Sequence, residues 1–154
     1  MIEKLVESAV IAKIAALNLS RAAVTGFWQA TATGVPKGRE GGEPVQIAVV
    51  VSPRSYESFT SAKAQLRVAV TMTVRRDSFP TGAELETFAA PLFDLFETWQ
   101  KSIAQVRADF TLTDAQGSAL FTPHGMRLDG GDVSTDQGES VWIISQTFTL
   151  RGVI

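Results

Sequence analysis

The chain has 154 residues, of which 45% are hydrophobic and 19% charged, and 14 cationic against 16 acidic side chains give a net charge of −2. This balance excludes a disordered chain, which combines low hydrophobicity with high net charge. The absence of cysteine excludes a disulfide scaffold and a thiolate metal site, and the single histidine excludes a two-histidine metal centre.

The slight acidic excess also lacks the basic surplus with which nucleic-acid binders replace phosphate counterions. No segment reaches the roughly 18 apolar residues that a bilayer span requires. Glu3, Glu7 and Lys13 interrupt the apolar N-terminal stretch, so no signal-peptide core forms and a soluble, cytoplasmically made product is expected.

Residues 2–17 carry Ile2, Leu5, Val6, Ala9, Val10 and Leu17 at helical spacing, and alanines add propensity. Glu3, Lys4, Glu7, Ser8 and Lys13 are read as its narrow polar face. A helix this apolar must bury more than one side, against a sheet or another subunit. Asn18 and Ser20 close it. Residues 22–32 read as a short strand carrying Phe27 and Trp28. The segment 33–44 holds four glycines, two prolines and four charges, and reads as a long loop.

Alternation is clearest in the next two segments. Val45, Ile47, Val49 and Val51 share one strand face. In 64–75, Leu66, Val68, Val70, Met72 and Val74 alternate with largely polar residues, which predicts a strand with one face buried. The connection 52–63 is too long for a tight turn. Thr81 and Glu84 have capping-box spacing and open a helix whose apolar stripe runs to Val106, with a kink or restart expected at Pro91. Residues 108–122 read as a poorly defined strand or loop. A strand begins at Gly125 and ends at the turn-rich run 129–139. Residues 140–151 alternate again, with Gln146 interrupting the apolar face.

The order helix, strand pair, helix, strand pair predicts an α+β fold. Its sheet is mostly antiparallel, its two main helices are N-terminal and central, and one domain spans 1–154.

Candidate chemistry is sparse. His124 is the one base of the usual kind and precedes a strand in a loop, and no serine lies in a nucleophile elbow. Asp132, Ser134 and Asp136 begin like a calcium loop, but Gln137 and Ile143 stand where glycine and glutamate are required, so a solvated hairpin tip is the plainer reading. The run 34–38 is glycine-rich without the Gly-Lys-Ser/Thr ending of a phosphate loop. Arg54, Lys63, Arg67, Arg75 and Arg76 give a positive bias, with Arg67 and Arg75 on one strand face about 26 Å apart. They read either as a wet sheet face or as a positive surface toward an acidic partner or passing nucleic acid. Exposed strand edges and the apolar first helix suit association between subunits, and heterologous contacts of that kind close into rings.

Taken in order, the helix 2–17, the loop 33–44, the strands 45–51 and 64–75 around the run Ser52 to Glu57, the helix 81–106 and the closing strands 125–129 and 140–151 form a recognisable layout. It resembles the tail-terminator (tail-completion) proteins of long-tailed phages over nearly the whole chain. The resemblance implies a non-enzymatic virion protein without a cofactor or metal. It implies a hexameric homo-oligomer, a ring that caps the tail-tube protein and stops tube growth. The same ring offers a surface to head–tail connector proteins, and DNA passes its lumen only in transit, with no membrane involved.

Within that reading, Lys37 and Arg39 in the loop and Asp132 and Asp136 at the tip 130–139 are candidate contacts to tube or connector. Arg54, Arg67, Arg75 and Arg76 are candidates for an inter-subunit or lumen-facing surface. A connector protein of the same particle is the alternative role. A small enzyme or ligand-binding domain built on His124 is the alternative of another class.

Overall fold

A computed structural model describes residues 1–19, 22–28, 45–136 and 140–154. They form helices α1 (Ile2–Ala16), α2 (Gly82–Lys101) and α3 (Ile103–Phe110). The strands are β1 (Ala22–Gly26), β2 (Val45–Val51), β3 (Ser55–Tyr56), β4 (Lys63–Arg75), β5 (Leu112–Thr113), β6 (Ala119–Asp136) and β7 (Val141–Val153). One seven-stranded sheet runs in the order β1-β2-β4-β7-β6-β5, with β3 also paired to β4. Every pairing is antiparallel except β1 with β2. The fold is α+β, as the alternation of β4 and the grouping of strands predict.

The strict period of two explains the layering. Leu66, Val68, Val70, Met72 and Val74 of β4 are at most 2% exposed, and they join Val45, Ile47, Val49 and Val51 of β2 in one core with residues from all three helices. The helices therefore share one face of the sheet. At the centre stand Phe96, Trp99, Phe110 and Phe148, with ring centroids 4.9 to 6.0 Å apart. Tilted and edge-on packing of this kind adds about 0.5–1.5 kcal/mol per pair beyond burial.

Several expectations are corrected. Helix α2 runs unbroken through Pro91, and the restart falls eleven residues later at Ser102. Pro91 and Thr87 both lie on the exposed side, so the carbonyl that loses its amide partner faces water. Ser102 is extended, gives its N–H to Thr98 O, and accepts from Gln105 N, so it ends one helix and caps the next. The segment 108–122 contains the end of α3, all of β5 and the start of β6.

Strand β6 continues through 129–136, so Asp129 and Asp132 stand on a strand and not in a turn. A bulge between Leu128 and Gly131 absorbs the irregular sequence, and Gln146 reaches it by donating to Gly130 O at 3.1 Å. The interruption noticed at Gln146 thus serves the neighbouring strand. The positive-φ Asn18 closes α1 with its N–H on Ala15 O. Strand β1 ends at Gly26, before Phe27 and Trp28. Positions 29–32 of the expected first strand, the loop 33–44 and positions 137–139 of the tip lie outside the described residues.

The largest correction concerns α1. Glu3 and Glu7 were assigned to the polar face, yet they are 4% and 0% exposed while Leu5 is more than a third exposed. The buried stripe is Ile2, Glu3, Val6, Glu7, Val10 and Ile14. Each carboxylate has donors waiting. Arg54 gives Glu3 its backbone N–H, its Nε–H and its Nη2–H at 2.8, 2.9 and 2.6 Å. Trp28 gives its backbone N–H to Glu7 at 3.1 Å, and its indole N–H bonds Val51 O. Gly26 lies directly beneath Glu7, where a Cβ would fall 2.1 Å from the carboxylate oxygen.

Candidate functional site on the uncovered sheet face

Because the helices share one side, the other side of β2, β4, β7 and β6 carries no covering layer among the described residues. Strand register writes out its surface. Gln65, Arg151 and Gly125 align across β4, β7 and β6, followed by Arg67, Thr149 and Arg127. Farther along come Thr71, Ser145 and Asp132, then Thr73, Ile143 and Ser134. Small hydroxyl and alanine side chains occupy the middle, and cations lie toward the end where β3 joins β4.

Most of these charges are already paired. Arg151 is bonded to Glu57 and holds its carboxyl below the usual range. Arg75 pairs with Asp77 at 3.1 Å, both exposed. Asp129 accepts from Thr149 Oγ1 at 2.5 Å and from Arg127 Nε at 2.8 Å. Burial acts to raise the Asp129 pKa, but these donors outweigh it and the net shift is downward. Arg67 is different: it is exposed and makes no salt bridge among the described residues, acting on Asp129 only through its charge, which adds to the lowering of that carboxyl. Together with Arg127, Ser52, Pro53, Ser55, Gln65 and Thr149 it lines an open cleft of about 310 Å³.

Of the eight residues singled out from sequence, the six that are described scatter over the molecule. Arg67 and Arg75 do share a face of β4. Arg54 turns to the helix side and is consumed by Glu3, which draws the carboxyl down to about 2 by hydrogen bonding that outweighs its burial. Arg76 lies over the Trp142 ring at 4.9 Å. Asp132 is exposed opposite Ser145, and Asp136 pairs through its backbone with Val141 at the end of the hairpin. Lys37 and Arg39 lie outside the described residues. Sequence reasoning missed Arg127 and Arg151, because their proximity to Arg67 comes from register. Their alternation phase within β6 and β7 was the available signal.

His124 lines a second cleft of about 260 Å³ with Glu57, Lys63, Gly125, Arg151 and Gly152. It stands inside β6 and not in a loop before a strand, its side chain is exposed and makes no hydrogen bond among the described residues, and the neighbouring carboxylate of Glu57 is held by Arg151. A base needs an orienting acid, and Glu57 is turned to another task. Among the described residues no cluster of metal-ligating side chains is present. No helix among the described residues is long and apolar enough to cross a membrane.

Two further features bear on association. Among the described residues, β6 beyond its short pairing with β5 is bonded on one side only, by β7, with Leu128 N–H also given to Gln100 Oε1 at 2.6 Å. Phe27, Phe59 and Val133 are large apolar side chains left more than half exposed.

No protein-family model matches the chain, and no curated protein matches it. Among solved structures it is similar to a chain described as "Virion of native gene transfer agent (GTA) particle". That match has a TM-score of 0.52 and 16% sequence identity, and it covers 96% of this chain and 94% of the other. At this identity the likeness is one of fold, and it extends end to end.

Proposed function

We propose that this chain is a structural protein of a virion or a virion-like particle, without catalytic activity. The observation that carries the reading is the end-to-end likeness of fold to a chain of a gene transfer agent virion, with almost nothing left over on either side. Within that class we propose the tail terminator. Six copies form a ring that caps the tail tube, ends its growth and offers a surface for head–tail joining.

The sheet face left bare by the described residues, the edges of β1 and β6 that have no further strand partner among them, and the exposed aromatic side chains support this reading. A subunit that is finished only by its neighbours leaves such surfaces. The heterologous contacts of a ring need two different patches, and the two open edges supply them. A connector protein of the same particle makes the same demands and is told apart by its partner.

Light scattering with negative-stain imaging tests the reading. The expected result is a closed ring of six 16.6 kDa copies, formed alone or on adding tail tubes. A chain that stays monomeric, and that neither binds tail tubes nor limits their length, overturns it. A ring that binds the head-side complex and ignores tubes moves the assignment to the connector.

A further inference from the structure

We propose that the cleft around Arg67 and Arg127 is a phosphate site that takes the backbone of double-stranded nucleic acid. Several observations converge on it. Two guanidinium groups face the cleft from adjacent positions of β4 and β6, separated only by Thr149 of β7. Arg67 makes no salt bridge among the described residues; Asp129, whose carboxyl its charge helps to lower, is hydrogen-bonded by Arg127 Nε and Thr149 Oγ1. The remaining lining is Pro53 with three neutral donors, the Ser52 and Ser55 hydroxyls and the Gln65 amide. A planar carboxylate has two oxygens to satisfy, whereas a tetrahedral phosphate uses a fork of guanidinium groups and the surrounding hydroxyls together.

The lining contains no aromatic side chain. Single strands are held by stacking their bases on aromatic platforms. This cleft offers none among the described residues, so the backbone of a duplex is the ligand it fits. Recognition is then indifferent to sequence and sensitive to salt. With a net charge of −2 over the whole chain and a single arginine at the centre of the site without a salt bridge among the described residues, the contact is weak and transient. Such a contact lets a duplex slide past. The inference deepens the proposed particle role and rests on it for the source of the duplex, but its test does not depend on ring formation.

The test titrates the full chain with inorganic phosphate and, separately, with a short blunt DNA duplex and a single strand of the same length. Phosphate is expected to shift the amide NMR signals of Arg67 and Arg127 and to leave those of Arg76 in place. Duplex binding followed by fluorescence anisotropy is expected to be independent of sequence and to exceed single-strand binding. The Arg67→Gln variant is expected to lower the slope of log K against log salt by about 0.9, the loss of one phosphate contact. Arg76→Gln is expected to leave that slope unchanged.

A wild-type slope in Arg67→Gln, a missing phosphate response, or tighter binding of the single strand overturns the inference. So does a shift of the Arg67 signal that follows protein concentration and ignores phosphate, since a carboxylate of a second copy then fills the cleft. Light scattering on the same samples separates the two claims. Rings without phosphate binding remove this inference alone, and phosphate binding by a chain that ignores tubes removes the ring alone.

Discussion

Glu3 and Asp129 are both carboxylates with lowered pKa values, and they stand on opposite sides of one sheet. Glu3 lies under the helices with its side chain 5% exposed and takes three donors from a single residue, Arg54. Asp129 lies on the bare side with its side chain 21% exposed, and its cationic partner Arg127 is 72% exposed. On the covered side charge fastens one chain segment to another and is used up. On the bare side charge is only half committed and stays available to something outside the chain. Sequence counts both simply as acidic residues, so the distinction belongs to topology.

If the covered side carries the stability, its aromatic centre is where the largest loss should fall. Trp99→Ala removes a side chain that is 1% exposed, touches Phe96, Phe110 and Phe148, and donates its indole N–H to Asp109 at 2.7 Å. A loss of about 3–5 kcal/mol is expected in chemical denaturation. Thr71→Val on the bare face, half-buried in a strand that favours β-branched residues, should change stability by less than about 0.5 kcal/mol. Comparable losses at the two positions would break the comparison outright.

Glu3→Gln comes next, with an expected loss of about 2–3 kcal/mol at neutral pH, because a neutral amide replaces the ion that Arg54 was bent inward to meet. The folded carboxyl is held at about 2, below its ordinary value of 4.5. A depressed carboxylate stabilises the fold above its unfolded pKa, and that contribution disappears as pH falls through the folded one. The gap between wild type and Glu3→Gln should therefore be full above pH 4.5 and close on approach to pH 2. A gap that stayed constant through this window would show that Glu3 acts by shape and not by charge.

How far the sequence could be read follows the same division. Strands whose alternation is strict were legible to within a residue, since a period of two with one buried face admits a single register. The cap at Thr81 was legible because its chemistry is local, and Thr81 Oγ1 accepts from Glu84 N. The break at Ser102 was masked by Pro91, the more conspicuous residue, although a serine followed three positions later by Gln105 carries a cap signal of its own. Glu3 and Glu7 were misread because charge marks a polar face unless a counter-ion waits. Arg54, the counter-ion for Glu3, is 51 residues away in sequence. The bare face was legible only along β4, where Arg67 and Arg75 share a side; the joining of Arg67 to Arg127 requires knowing that β7 lies between them.

Asp109 refines the covered side at smaller scale. Its carboxylate accepts from Trp99 Nε1, Gln105 Nε2 and Lys13 Nζ, tying all three helices together. Burial works to raise its pKa, and the donors overcome it to leave a net lowering. Asp109→Asn keeps the shape and should cost about 1–2 kcal/mol by thermal or chemical denaturation. Arg75→Gln breaks only the exposed pair with Asp77 on the bare face and should cost less than about 0.5 kcal/mol.

The smallest effect on stability, and the most informative, belongs to Phe59. Its ring is fully exposed at the tip between β3 and β4. That tip is well fastened: Ser61 N–H bonds Ser58 O, Lys63 N–H bonds Ser61 Oγ, Glu57 pairs with Arg151, and Ile154 N–H bonds Ala62 O. An aromatic side chain held out on a fixed support costs the isolated chain hydrophobic exposure and gives it no packing. It is the kind of group that anchors an interface once a partner covers it. Phe59→Ser should therefore leave the denaturation midpoint of the monomer in place while weakening ring formation or tube capture by tenfold or more, about 1.4 kcal/mol. If assembly proceeds unchanged, the tip stays outside the interfaces, and the two open strand edges must account for association without it.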